Sequence, residues 1–193
     1  MPETMPSTFL YFAYGSNMFT RRLAAPMRAP SAVVEGIGFV EGRRLTFYKV
    51  SKDGSGKCDI EPGNPADRVY GVLFRISKAE EKALNKAEGL GNGYCEENVQ
   101  VVTSDRNVTA KTYVATEKEL NCIPYSWYKA FVVAGAVEHG LPDAYIECLR
   151  AVPSKFDLNG CRRSENEAVL FGVPRAPCSS APSSLLPVAD RRS

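Results

Sequence analysis

Strand-like segments in this chain follow one another directly instead of alternating with helices. Residues 32–50 read "AVVEGIGFVEGRRLTFYKV", a turn-rich "SKDGSGK" comes next, and "DRVYGVLFRI" begins at residue 67. Segments rich in β-branched and aromatic residues, separated by Gly, Pro and Asn, favour strands. Regular alternation of strands and helices would indicate a doubly wound α/β domain. Its absence here predicts a mixed α+β fold.

Helical patterns occur at a few well-delimited places. The clearest is "SKAEEKALNKAEG", where Ser77 and Glu80 form an S-x-x-E capping box and Gly89 stands where a left-handed residue would end the helix. Two further helices are predicted over "SWYKAFVVAGAVEHG" and "PDAYIECLRAV". A short helix is predicted from about residue 17 to residue 25, because Pro26 would stop it.

Length and composition predict one domain with short extensions. The chain has 193 residues, a length that typically forms a single domain with its own core. We assign residues 1–8 to a flexible N-terminus, 9–171 to the domain, and 172–193 to a disordered tail rich in Pro, Ser and Ala.

Charge, hydropathy and cysteine usage exclude several classes of protein. The net charge of +2 is too small to indicate nucleic acid or a membrane surface as a partner. The N-terminus has no secretory signal pattern and no apolar run is long enough to span a membrane, so we expect a cytoplasmic protein. Six scattered cysteines without a C-x-x-C pair predict free thiols and no metal site.

The stretch "FAYGSNM" predicts a sharp corner between a strand and a helix. Such a corner would present the backbone N–H groups of Gly15, Ser16, Asn17 and Met18, which have no partners inside a helix. Helix starts bind negative groups, so a carboxylate or a developing oxyanion would suit this position. The alternative is structural: Ser16 or Asn17 simply caps the helix.

Two other positions are candidates for chemistry. Glu88 ends the capped helix on the side of Leu84. An acid at a helix C-terminus on a partly apolar face favours the protonated form more than an exposed acid does, which makes Glu88 a candidate proton carrier. Tyr128 belongs to a cluster of rings with Tyr125 and Trp127 that opens a helix. The alternatives are a solvated surface glutamate and ordinary core packing; we interpret the single histidine, at position 139, as structural.

Three segments together resemble the γ-glutamylcyclotransferase family over about residues 9–151. "FLYFAYGSNM" is similar to that family's Y-G-S-N signature, "AEGLGNGY" to the segment with its catalytic glutamate, and "YKAFVVAGAVEHGLP" to its tyrosine-led helix. The middle of the chain is similar in layout and ends in the V-x-G-V strand. The chain departs from the family pattern at Met18, where leucine is more usual, and at "CDIEPGNP".

The resemblance implies a compact fold around an antiparallel, barrel-like sheet flanked by helices. It implies conversion of a γ-glutamyl amino acid to 5-oxoproline and the free amino acid, with no cofactor and no metal. Some members of the family are homodimers, so a homodimer is an expectation for this chain. Carried over by position, Glu88 would be the general base and acid. The substrate-binding residues would be Tyr11, Phe12, Ala13, Tyr14, Gly15, Ser16, Asn17 and Tyr128.

Two alternatives remain open from the sequence. A sibling cyclotransferase would act on glutathione, on γ-glutamyl-amines or on another γ-glutamyl conjugate; Asn17 after Tyr-Gly-Ser argues against the glutathione-specific branch. A non-catalytic protein of the same fold would keep the pocket for a small carboxylate ligand. The presence of both Glu88 and the Gly-Ser-Asn corner favours an enzyme.

Overall fold

The computed structural model of this chain describes residues 7–173. The first strand begins at Thr8, and the last helix ends at Phe171. The first strand thus begins one residue before the predicted start of the domain at residue 9, and the domain boundaries stay a prediction. The predictions of a flexible N-terminus and a disordered tail fall mostly on residues 1–6 and 174–193, which lie outside the described residues.

Five strands close into a barrel in the order β1-β5-β2-β6-β7. Neighbouring strands pair antiparallel except where β7 meets β1, a parallel pair in which Tyr11 lies opposite Lys111. The predicted α+β fold with an antiparallel barrel-like sheet is therefore confirmed, with one parallel seam. The barrel strands are β1 (Thr8–Ala13), β2 (Val33–Glu41), β5 (Arg68–Ser77), β6 (Tyr94–Val102) and β7 (Asn107–Ala115).

The remaining two strands, β3 (Arg43–Val50) and β4 (Gly56–Pro62), form a separate antiparallel hairpin beside the barrel. The predicted turn "SKDGSGK" forms its tip. The amide of Ser51 donates to the carbonyl of Ser55 across that tip at 3.1 Å. The hairpin matters for function because its β4 strand faces the Gly-Ser-Asn corner.

Helices surround the barrel. The predicted helix after the corner is shorter than expected: a 3₁₀ turn covers Ser16–Met18, and one turn of α-helix follows. The last helix was not predicted, although Asn159 caps it by accepting a hydrogen bond from the amide of Arg162 at 3.0 Å. The α-helices are α1 (Thr20–Leu23), α2 (Glu81–Glu88), α3 (Ser126–Glu138), α4 (Asp143–Ala151) and α5 (Gly160–Phe171).

Apolar side chains fill the barrel and the layer between the barrel and α3. Phe12 and Phe74 are fully buried in the barrel strands, while Met18 and Phe131 are fully buried where the corner meets α3. His139 Nε2 lies 2.9 Å from the carbonyl oxygen of Met18, which agrees with a structural role. Within residues 7–173 no helix is long and apolar enough to cross a membrane.

The start of α2 differs in one respect from the predicted capping box. Ser77 Oγ accepts a hydrogen bond from the amide of Ala79 at 3.3 Å, as a cap should. Glu80 does not return to Ser77, however. Its carboxylate accepts hydrogen bonds from the amide and hydroxyl of Ser31 at 3.0 and 2.7 Å, and the Ser77 amide donates to Ser31 Oγ at 2.9 Å. A serine from the loop after α1 therefore completes the box.

The cysteines do not form a metal site in the described part of the chain. Residues 7–173 hold no group of three His, Cys, Asp or Glu side chains that could bind a metal ion. Cys58, Cys95, Cys122 and Cys148 are free thiols, whereas Cys161 is disulfide-bonded. The prediction of free thiols is therefore wrong at Cys161.

Candidate active site

The Gly-Ser-Asn corner lies at the end of β1, where the chain leaves the barrel. The amide of Met18 donates to the carbonyl of Gly15 at 3.0 Å, so it is not available to a ligand. The amides of Gly15, Ser16 and Asn17 donate no hydrogen bond to any acceptor in residues 7–173. No side chain caps this turn, so the alternative of a simple helix cap is wrong. Three free amides remain, one fewer than predicted.

Gly15 is required by a close approach of the β3–β4 hairpin. A Cβ atom at this position would lie 2.9 Å from the Cβ of Cys58 and 3.4 Å from the hydroxyl of Tyr128. Contacts between non-bonded carbon atoms are normally about 3.5–4.0 Å. Glycine therefore lets β4 and α3 pack directly against the corner, and the three segments enclose a small space.

Glu88 reaches this space from the end of α2. The helix ends at Glu88 because Gly89 adopts the left-handed conformation with φ 73°. The Oε1 atom of Glu88 accepts hydrogen bonds from Asn17 Nδ2 at 2.9 Å and from Arg28 Nη1 at 2.8 Å. Its Oε2 atom receives none from the described residues. The side chain is 18% exposed, so one oxygen is fixed and the other is accessible.

The environment of Glu88 differs from both sequence-based alternatives. Leu84 is fully buried, but the carboxylate lies in a partly buried ion pair with Arg28 instead of on an apolar face. Asn17 is 4% exposed and uses both of its polar atoms within the protein: Nδ2 also donates to Tyr11 Oη at 3.0 Å, and Oδ1 accepts from Arg28 at 3.1 Å. The side chain of Asn17 therefore positions Glu88.

We call the space between the corner, β4 and the end of α2 the inner cavity. Its volume is about 30 Å³, whereas a single water molecule needs about 10–15 Å³. It accommodates a carboxylate or a carbonyl group but not a whole amino acid. It is lined by Tyr11, Tyr14, Gly15, Ser16, Asn17, Cys58, Glu88, Tyr94, Tyr113 and Tyr128.

The polar side chains around the inner cavity other than Glu88 stay neutral at physiological pH. Burial raises the pKa of the Tyr11, Tyr14, Tyr94 and Tyr128 hydroxyls well above its ordinary value. Burial also raises the pKa of the Cys58 thiol to about 12. Neither the phenols nor the thiol is a base near neutral pH, so Glu88 is the group suited to accept a proton.

Tyr128 is the member of the aromatic cluster that reaches the cavity. Its hydroxyl accepts a hydrogen bond from the amide of Cys58 at 3.0 Å, and Tyr94 donates to the carbonyl of Cys58 at 2.8 Å. Trp127 instead donates its indole N–H to Asp157 at 2.9 Å, inside the protein. The two tyrosines fix the strand that forms one wall of the inner cavity.

A larger space, the outer cavity, continues from the inner one. Its volume is about 470 Å³, and it shares Ser16, Glu88, Tyr94 and Tyr128 with the inner cavity. Its remaining wall comes from the β3–β4 hairpin, the segment around α1, and the end of α2. The basic residues that line it are Arg22, Arg28, Lys49, Lys52, Lys57 and Lys86.

The structure brings most of the sequence-predicted site residues together. Glu88 and six of the predicted binding residues surround the inner cavity: Tyr11, Tyr14, Gly15, Ser16, Asn17 and Tyr128. Phe12 and Ala13 do not line either cavity; both are buried in the barrel, where the Phe12 carbonyl accepts from Thr112 at 2.8 Å.

Sequence reasoning missed several residues of the site. Arg28, which holds Glu88, lies in "PMRAP", where no periodicity or motif marks it. Cys58 and Tyr113 arrive from strands whose pairing brings them to the corner. Tyr94 had a signal, because it ends the "AEGLGNGY" segment six residues after the glutamate.

Comparisons with known proteins give the family of this chain. Residues 68–149, from β5 into α4, match the model of the AIG2-like family. The mouse γ-glutamylcyclotransferase is 35% identical over 151 residues, which cover 75% of this chain and 79% of the mouse protein. This chain belongs to the γ-glutamylcyclotransferase family. The human family member is 34% identical over the same coverage.

Solved structures of the γ-glutamylcyclotransferase fold superpose on most of the chain. One titled γ-glutamyl cyclotransferase has a TM-score of 0.77 at 31% identity and covers 86% of this chain and 99% of its own. A human protein described as uncharacterized has a TM-score of 0.76 at 32% identity, covering 85% and 98%. The predicted resemblance to the family is therefore confirmed.

Proposed function

We propose that this protein converts γ-glutamyl amino acids to 5-oxoproline and the free amino acid. The observation that supports this most directly is the arrangement at the inner cavity. Glu88, whose Oε2 accepts no hydrogen bond from the described residues, lines the same small space as Gly15, Ser16 and Asn17, whose amides donate none. That combination offers a proton acceptor beside donors for a negative oxygen, which ring closure at an amide carbonyl requires.

The proposed reaction is intramolecular. The α-amine of the glutamyl group attacks its own γ-carbonyl carbon, which forms the ring C–N bond, and the bond to the leaving amino acid then breaks. One proton leaves the attacking nitrogen for Glu88 and passes to the departing nitrogen. Both reacting groups belong to one molecule, so the protein has to fold the chain more than to assemble two partners.

The amides of Gly15, Ser16 and Asn17 would bind negative oxygen during this reaction. Either the glutamyl α-carboxylate or the oxyanion of the tetrahedral intermediate fits beside them, since the inner cavity admits one such group. The reaction transfers one proton between nitrogens and involves no net oxidation or reduction. The proposal therefore includes neither a cofactor nor a covalent enzyme intermediate.

The test is incubation of the protein with a panel of γ-glutamyl compounds, followed by mass spectrometry for 5-oxoproline. We expect product from γ-glutamyl-alanine and other γ-glutamyl amino acids. Product from γ-glutamyl-lysine isopeptide or glutathione alone would favour a sibling activity. Binding of the panel without any cyclised product would contradict the proposal and favour a carboxylate-binding protein.

A further inference from the structure

The outer cavity holds more positive charge than its own acids balance. Six basic side chains line it, against the single acidic side chain of Glu88. Arg28 is paired with Glu88 at 2.8 Å, and Lys57 is paired with Asp53 at 3.1 Å. The other four cations have no carboxylate oxygen within ion-pair distance in residues 7–173: Arg22, Lys49, Lys52 and Lys86.

Lys49 is the most informative of these cations. The residue is only 8% exposed overall, and its ammonium group makes no hydrogen bond and no ion pair with any described residue. The Nζ atom lies 4.9 Å from the ring centre of Tyr94, which lines both cavities. Burial lowers the pKa of this lysine. The stem of Lys49 is therefore buried while its ammonium group lies at the cavity wall. Glu117, Asp53 and Glu88 act on this charge only from beyond ion-pair distance, so the ammonium is available to an anionic ligand.

The register of the hairpin adds a second, independent observation. Lys49 on β3 is the direct cross-strand partner of Lys57 on β4. Like charges directly opposite each other in an antiparallel pair are destabilising. Lys52 adds a third cation from the turn between them. An anion bound between these side chains would remove the repulsion, and Asp53, which pairs with Lys57, does not reach Lys49 within ion-pair distance.

We propose that Lys49, Lys52 and Lys57 form a carboxylate subsite that selects substrates whose leaving amino acid carries a side-chain carboxylate. This rests on the proposed function. The scissile carbonyl must lie next to Glu88, at the junction of the two cavities, so the leaving group extends into the outer cavity toward the hairpin. γ-Glutamyl-glutamate represents the class. A leaving group with a side-chain cation, such as lysine, would be repelled.

The experiment compares two nearly isosteric substrates, γ-glutamyl-glutamate and γ-glutamyl-glutamine, which differ by one charge. At low salt we expect kcat/KM to favour the glutamate compound by about tenfold, the effect of one partly buried ion pair. Lys49→Met keeps the aliphatic stem and removes the charge, and it should bring that ratio close to one. Lys82→Gln, on an exposed position of α2 outside both cavities, is the control and should leave the ratio unchanged.

Ionic strength provides a further test. Added NaCl screens charge, so it should reduce the preference of the unmodified protein for γ-glutamyl-glutamate over γ-glutamyl-glutamine. If Lys49→Met fails to fold, Lys52→Gln at the exposed tip of the hairpin makes the same test. A ratio near one in the unmodified protein, or an equal loss on both substrates in Lys49→Met, would overturn the subsite alone. Absence of 5-oxoproline from both substrates would overturn the proposed function, and the subsite with it.

Discussion

The inner and outer cavities meet at Glu88 but are lined by different kinds of chemical group. Phenol rings and backbone groups line the inner cavity, and the hydroxyls of Tyr128 and Tyr94 form hydrogen bonds with the backbone of Cys58 in the same wall. Lysine and arginine side chains line the outer cavity, and four of the six have no carboxylate partner within residues 7–173. Under the proposed function, this difference assigns separate roles: the inner cavity holds the reacting atoms in place, and the outer cavity recognises the leaving amino acid.

The largest expected effect is at the junction. Glu88→Gln removes the proton acceptor while keeping the shape of the side chain, so we expect kcat to fall by about a hundred- to ten-thousandfold with little change in KM. Formation of 5-oxoproline followed over time measures both. The matched control is Glu81→Gln on the same helix, whose carboxylate pairs with Lys111 away from the cavities. Near-normal turnover of Glu88→Gln would remove this residue from the mechanism.

The second prediction concerns Arg28, a cation of the outer cavity that binds Glu88 and thereby holds it in place. Arg28→Met removes the partner of Glu88 and Asn17, and a small displacement of a catalytic group lowers rates by up to about a hundredfold. We expect kcat to fall more than KM rises, with partial recovery in Arg28→Lys. Loss confined to KM would instead place Arg28 among substrate-binding groups only.

The third effect concerns stability of the inner wall. Tyr128→Phe leaves the buried amide of Cys58 without an acceptor, which costs about 1–3 kcal/mol in the free energy of unfolding. Urea denaturation measures this value. Tyr48→Phe is the control, since the Tyr48 hydroxyl makes no hydrogen bond within residues 7–173. Equal stability of the two variants would show that the Cys58–Tyr128 bond contributes nothing.

A smaller effect is expected at Ser16. Its hydroxyl accepts from Arg22 Nε at 3.2 Å, whereas the proposed contact with substrate uses the backbone amide. One hydrogen bond of this kind is worth about 1 kcal/mol, so Ser16→Ala should lower kcat/KM by less than about tenfold. A loss as large as that of Glu88→Gln would mean that the hydroxyl itself takes part in the reaction.

The smallest effect is a pH dependence confined to the outer cavity. Burial lowers the pKa of Lys57 to about 8, with Asp53 opposing the shift and Arg22 and Lys49 adding to it. Lys57 is therefore charged below pH 8 and loses its proton above it. KM for γ-glutamyl-glutamate should rise between pH 7 and 9 by a few-fold more than KM for γ-glutamyl-glutamine. If KM changed with pH in the same way for both substrates, Lys57 would have no part in recognising the side-chain carboxylate.

Local signals account for what the sequence predicted correctly. The end of α2 at Gly89, the corner after β1 and the tyrosine at the start of α3 each depend on a few adjacent residues. The helix α5 also had such signals, a capping Asn159 and a left-handed Gly172, and its charged composition concealed them.

Contacts between distant residues account for what the sequence could not supply. The parallel seam between β7 and β1 depends on the closure of the whole barrel, which no local pattern encodes. The meeting of Arg28 with Glu88 joins residues 60 positions apart. The basic wall of the outer cavity gathers side chains from the hairpin, the segment around α1 and the end of α2, and each of them alone resembles an ordinary surface charge.

The loop between α1 and β2 has a consequence for how this site can change. Arg28 binds Glu88, the last residue of α2. Ser31, three positions later in the loop, binds Glu80, which immediately precedes the first residue of α2. The eight steps from Glu80 to Glu88 rise about 12 Å along the helix, so the loop runs beside α2 and contacts it at both ends. An α2 helix that was longer by one turn would lose one of these two contacts unless the loop were longer as well. The dimensions of these two segments are therefore interdependent.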